Sequence, residues 1–130
     1  MMNMRSYRGP HCRTVSISHD GGQTWGDIRD DAALVKPMCQ ASLTRQTHDG
    51  KTRLLFSNPA DPTQRANLTI RMSDDDGKTW PRSVVLYLGP SLHLPLIMTP
   101  RTAADFLRRH ASVEKTTLIS TVRQNFAQLS

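Results

Sequence analysis

Ser18-His19-Asp20-Gly21-Gly22-Gln23-Thr24-Trp25 returns 55 residues later as Ser73-Asp74-Asp75-Asp76-Gly77-Lys78-Thr79-Trp80. Both stretches spell S-x-D-x-G-x-T-W. The flanks agree in kind, since Val15 and Ile17 precede the first copy as Ile70 and Met72 precede the second. A pattern used twice in this way is one structural unit repeated, and such arrays stack so that each repeat buries its apolar face on the next. Each copy follows an alternating run, 12–18 and 67–73, in which every second residue can face a core. Gly22 and Gly77 permit the positive φ that a tight turn demands. Asp20 and Asp75 are placed to accept hydrogen bonds from turn amides. After each turn Thr-Trp reopens a strand.

Strands are therefore expected over 12–18, 53–57, 67–73 and 83–88, with the two boxes as hairpin turns joining strands of successive units, the blades of a propeller or the coils of a solenoid. Trp25 and Trp80 carry large apolar area and are expected to be buried in equivalent settings. Closed propellers use about 4–8 blades of four strands, and 130 residues supply only about two at this spacing. After Gly89-Pro90 the composition changes. Thr102 with Asp105, then Ala103, Phe106, Leu107 and His110, fall at helical spacing, and Ser112 with Leu118, Val122, Phe126 and Leu129 repeat it. The expected organisation is all-β over 1–91, with a divergent helical tail over 92–130.

The chain has a net charge of +6. Its Lys and Arg are scattered, and few aromatics interleave them, which argues against a nucleic-acid binder. No apolar run reaches the ~20 residues of a membrane span, and no signal-peptide h-region follows Met1-Met2-Asn3-Met4-Arg5, so localisation is left open. Cys12 and Cys39 are compatible with a disulfide or with two free thiols. No Cys/His spacing suggests a metal centre, and Asp74-Asp75-Asp76 lacks the distributed ligands of a calcium loop.

The paired boxes resemble the Asp box of the sialidases (neuraminidases) and other β-propeller proteins. Further blocks strengthen that resemblance. Asn3-Met4-Arg5 ahead of Val15-Ser16-Ile17-Ser18 resembles the family's N-x-R strand. Cys39-Gln40-Ala41-Ser42-Leu43 resembles its C-Q-x-S strand. Leu54-Leu55-Phe56-Ser57-Asn58-Pro59 with Arg65-Ala66-Asn67-Leu68 resembles its L-L-F-S-N-P … R-x-N-L segment. The resemblance implies a piece of a six-bladed propeller and an exo-α-sialidase lineage, acting on terminal sialic acids of glycans with retention and without a cofactor or metal. It also implies that Arg5 and Arg65 are two of three arginines gripping the sialic acid carboxylate, a task suited to the guanidinium's planar fork. Gln40 is a ligand-side or supporting polar residue on the same grounds.

Sialidases of this family attack with a Tyr activated by a Glu, an exception to the two-carboxylate scheme of most glycosidases. Here the sole Glu is Glu114. The family's Glu would fall ahead of Met1. Where the family has G-P-S-A-Y-S-D-L, this chain has Gly89-Pro90-Ser91-Leu92-His93-Leu94-Pro95-Leu96. The motif ends after Ser91, as a shifted reading frame or a chimeric gene would make it end. The expectation is a truncated, inactive piece with the rest of the propeller missing. Its rivals are a non-catalytic sialic acid lectin, an interaction propeller, and a hydrolase of neutral polysaccharide. The arginine pair disfavours the interaction propeller, and the absence of Glu before residue 114 disfavours the hydrolase.

Overall fold

The structure, a computed structural model, describes residues 1–7, 9–48 and 50–91. The expected helical tail over 92–130 and its boundary lie outside the described residues. Seven strands run in order: β1 (Met2–Met4), β2 (Cys12–Ser16), β3 (Arg29–Val35), β4 (Ser42–His48), β5 (Lys51–Pro59), β6 (Ala66–Ser73) and β7 (Arg82–Pro90). They form two antiparallel sheets, ordered β1-β2-β3 and β4-β5-β6-β7. A shift of 55 residues carries β2 onto β6, and β1 onto the end of β5. The sheets are thus successive copies of one unit, and the all-β expectation holds for the described part.

Both boxes close by the same bonds. The Ser18 hydroxyl accepts from the Gly22 amide at 2.7 Å and donates to Asp20 at 2.7 Å, and Asp20 accepts from the Thr24 amide at 2.9 Å. In the second copy Ser73 accepts from Gly77 at 2.8 Å and donates to Asp75 at 2.8 Å, and Asp75 accepts from the Thr79 amide at 2.9 Å. Gly22 and Gly77 take φ of 95° and 87°, which a side chain would strain. These bonds favour the ionised carboxylates, so Asp20 and Asp75 are held well below the usual carboxylate range, the Thr hydroxyls contributing most.

The path of the chain corrects one expectation. Each box joins neighbouring antiparallel strands of a single sheet, β2 to β3 and β6 to β7, rather than strands of successive blades. A turn closed by bonds within a few residues returns the chain beside itself, and the crossing between sheets falls to the segment 36–41. Nor does Thr-Trp reopen a strand at once, since β3 and β7 begin only at Arg29 and Arg82.

The two tryptophans also differ from expectation. Trp80 is 9 % exposed, whereas Trp25 is 43 % exposed. Trp80 sits between the sheets, its ring 5.9 Å from that of Phe56 and tilted by 57°, in a core with Val15, Leu34 and Leu54. Its indole nitrogen donates to Asp31 of the other sheet at 3.3 Å. Trp25 instead borders a hollow lined by Ile17, His19 and Asp27 of its own hairpin.

Trp80→Ala is expected to cost about 3–5 kcal/mol, the usual loss for a buried aromatic, while Trp25→Ala costs under about 1 kcal/mol, as a surface change does. Chemical denaturation of both variants, followed by far-ultraviolet circular dichroism, checks the difference.

The box carboxylates predict acid sensitivity with a definite sign. Their folded pKa lies below the unfolded value of about 3.9, so their contribution is full above that pH and is lost as pH falls toward the folded value. Melting temperature should drop below about pH 4, and Asp75→Asn should lower it at neutral pH while flattening that acid limb.

Candidate functional site

The box turns occupy one end of each sheet, and the residues of interest lie at the other. β1 runs away from the first box, with Met2 opposite Ser16 and Met4 opposite Thr14, so Arg5 emerges at the far end. Arg65 immediately precedes β6, whose last residue, Ser73, opens the second box. Both arginines are exposed. The Arg5 guanidinium lies 5.1 Å from the centroid of the Tyr7 ring, a cation–π contact, and donates to its hydroxyl. Arg65 donates to the Met38 carbonyl at 3.4 Å.

Met38 belongs to the crossing segment 36–41, and this segment gathers the site. Cys39 is buried, and burial pushes its thiol pKa up; Arg13, Arg65, Lys36 and Arg5 oppose that shift in decreasing order. Among the described residues the charges acting on Cys39 are these four cations, and none is a carboxylate. Gln40 is exposed on the same segment.

Two of these cations were given no role from sequence. Arg13 is only 5 % exposed, and burial pulls its pKa down. Its guanidinium donates to the Asn3 side-chain carbonyl and, at 3.2 Å in each case, to the backbone carbonyls of Asn3 and Cys39. One buried fork therefore ties the strand leading to Arg5 to the segment held by Arg65. Lys36 is 1 % exposed; its ammonium donates to the Ser6 carbonyl at 2.6 Å, and burial, then Arg13, lowers its pKa. A signal for Arg13 was present, because it shares the inward alternation of Val15. Lys36 follows the end of β3 and carries no such pattern.

A cavity of about 180 Å³ lies beside the clamp, lined by Asn3, Arg13, Ala41, Ser42, Leu43 and Phe56. Neither Arg5 nor Arg65 lines it. A more open hollow of about 520 Å³ adjoins the exposed Trp25 and the first box. Among the described residues no cluster of His, Cys, Asp and Glu is arranged to hold a metal ion, and no helix is long and apolar enough to cross a membrane. The acidic run is spent on separate partners: Asp74 bridges Arg53 and Arg82, Asp76 pairs with Arg45 at 2.8 Å, and Asp75 closes its turn.

The sequence matches the family described as a BNR repeat-like domain over residues 1–119. The chain belongs to that family. The match continues past Ser91, where the quoted motifs end. Two sialidases are similar in sequence. That of Micromonospora viridifaciens is 40 % identical over 106 residues, covering 77 % of this chain and 16 % of the relative. That of Bacteroides fragilis (strain YCH46) is 41 % identical over 85 residues, covering 62 % of this chain and 15 % of the relative. Among solved structures, Hadza microbial sialidase Hz136 superposes with a TM-score of 0.54 at 37 % identity, covering 68 % of this chain and 18 % of that one. The two sheets are therefore a fragment of a sialidase-type propeller. The chain spans about a sixth of the length of the curated relatives it matches.

Cys12 and Cys39 are both free, buried and raised in pKa by that burial. Neither thiol should react readily with iodoacetamide near neutral pH in the folded chain, and two equivalents should react after denaturation. Mass spectrometry of the alkylated protein reads both numbers.

Proposed function

We propose that this protein takes part in recognising terminal sialic acids, as a piece of an exo-α-sialidase, and that Arg5 and Arg65 bind the sugar's carboxylate. The observation that carries this reading is the meeting of Arg13 and Arg65, from the two sheets, at the Cys39 and Met38 carbonyls of the 36–41 segment beside Lys36, with no carboxylate among the described residues acting on Cys39. Like charges brought together in this way repel, and an anionic ligand offsets the repulsion. Guanidinium groups suit a carboxylate because two parallel N–H donors meet its two oxygens. The names and identities of the similar proteins support the same substrate class.

Hydrolysis is assigned to the longer assembly rather than to these 130 residues. A phenol has an unperturbed pKa near 10 and needs a carboxylate partner to become a nucleophile at neutral pH. The two tyrosines of the chain, Tyr7 and Tyr87, have no Glu near them in sequence, since the sole Glu is Glu114. That observation favours one further reading, a sialic acid binder without catalytic activity.

N-acetylneuraminate titrated into the chain at low salt, followed by NMR, should give weak saturable binding. Arg5→Ala and Arg65→Ala should each weaken it by about 10–100-fold, the range for losing a hydrogen bond to a charged group. A fluorogenic sialoside should not be hydrolysed by this chain. When residues 1–91 replace the matching segment of the Micromonospora sialidase, hydrolysis should return and be lost with either arginine. Binding that survives both substitutions sinks the carboxylate assignment.

A further inference from the structure

We propose that Lys36 is a positioning residue for Arg5: its buried ammonium fixes the Ser6–Tyr7 peptide, and the Tyr7 side chain carries that placement to the Arg5 guanidinium. The inference rests on the reading of Arg5 and Arg65 as carboxylate ligands, and it names the residue that lets the two act as a pair.

Arg5 follows β1, on the connection to β2. Arg5 and Tyr7 are both exposed, Tyr7 by 66 %. Their contact joins two residues of the same connection, guanidinium to ring and guanidinium to hydroxyl. It holds the arginine to its own loop and not to the body of the protein, and an exposed loop with few buried contacts opens readily. Lys36 supplies the missing link twice. Its backbone amide donates to the His11 carbonyl at 2.8 Å, and its ammonium donates to the Ser6 carbonyl at 2.6 Å. One residue just past the end of β3 thus grips the connection near both ends.

Lys36 is itself held in place. It is 1 % exposed, and the carbonyl of Val35 before it accepts from the Asn58 amide of β5 at 2.7 Å. The Asn58 carbonyl oxygen accepts in turn from Arg71 of β6, the strand that Arg65 immediately precedes. Hydrogen bonds therefore lead from the loop of Arg5, through Lys36 and Val35, across the contact between the sheets to the strand of Arg65. A lysine suits this place because its long stem packs in the interior while its head reaches a carbonyl at the edge, and a charged donor makes the stronger bond. Stability alone gives no reason for the charge. A buried ammonium is unfavourable, and Arg13 and Arg5 both act against it. An apolar side chain would fill the same space without that cost, but would leave the Ser6–Tyr7 peptide unheld.

The test reads the two arginines separately, through the Nε–H resonances of Arg5 and Arg65 in the full chain titrated with N-acetylneuraminate. In the parent both should shift along one binding curve. Lys36→Met keeps the length of the side chain and removes the ammonium, and the half-buried Ser6 can turn its carbonyl to water. The melting temperature of this variant should equal or exceed the parent's, and its affinity should fall about tenfold. Its Arg5 resonance should stop following the ligand while that of Arg65 continues. Lys36→Arg keeps a donor for the Ser6 carbonyl and should restore the Arg5 response. If both resonances of Lys36→Met follow the ligand as in the parent, the positioning role is overturned and the carboxylate reading stands. A loss shared equally by the two arginines also overturns it, being the mark of a lost charge and not of a misplaced loop. Should Lys36→Met fail to fold, Tyr7→Ala at an exposed position tests the same link, and an Arg5 response unaltered there overturns it. Parent resonances that ignore the ligand overturn the carboxylate reading and this inference with it.

Discussion

The contact between the sheets depends on the indole of Trp80. It supplies apolar area against Phe56, Val15 and Leu34, and its N–H reaches Asp31 across the interface. The hydrophobic part is non-directional and would tolerate sliding, whereas a buried N–H must find its acceptor and so fixes one relative position. The Asn58 amide reinforces that position, donating at 2.7 Å to the Val35 carbonyl at the end of β3. Arg71 in turn donates to the Asn58 carbonyl at 3.1 Å, which leaves both ends of that amide engaged. Aromatic packing and a few buried polar bonds together set how far apart the two strand ends bearing Arg5 and Arg65 lie.

At that end the electrostatics run against stability. Arg13 and Lys36 are buried cations that meet carbonyl oxygens rather than carboxylates. Desolvation lowers the pKa of both, and neighbouring cations add to it, Arg5 at Arg13 and Arg13 at Lys36. Carbonyl dipoles offset part of this cost and orient the groups, but they leave net positive charge at the site. A carboxylate supplied by the protein would relieve that cost.

Much of the architecture was legible because it is local. The box residues Ser, Asp, Gly and Thr bond within five positions of one another, so the sequence pattern and the turn are nearly the same information. Strands β2 and β6 followed from alternation, and they and the expected β5 and β7 appeared within a few residues of expectation. What failed was non-local. Trp25 and Trp80 are indistinguishable in their own segments, and only the presence of a neighbouring sheet separates a buried indole from an exposed one. The route between sheets likewise depended on which strands pair. Arg5 and Arg65 were singled out only through motif resemblance, since nothing in the composition marks them. Arg13 was overlooked because a charged residue on an inward-facing position defies the usual rule. In a structure, that defiance is itself the mark of a clamp.

The self-sufficiency of the box turns has an evolutionary consequence. The bonds by which Ser, Asp, Gly and Thr close the turn recruit nothing from outside it, so a duplicated gene segment carries its folding instructions for the turn with it. A new copy must be tuned only where it touches its neighbour, at positions such as Trp80 and Asp31. Drift is then free at the intervening sites, and His19 against Asp74 or Gln23 against Lys78 shows it already under way. Recombination between copies can lengthen or shorten such an array without disturbing any single turn. The difficulty it creates is at the flanks, where an indole like that of Trp25 waits for a partner surface.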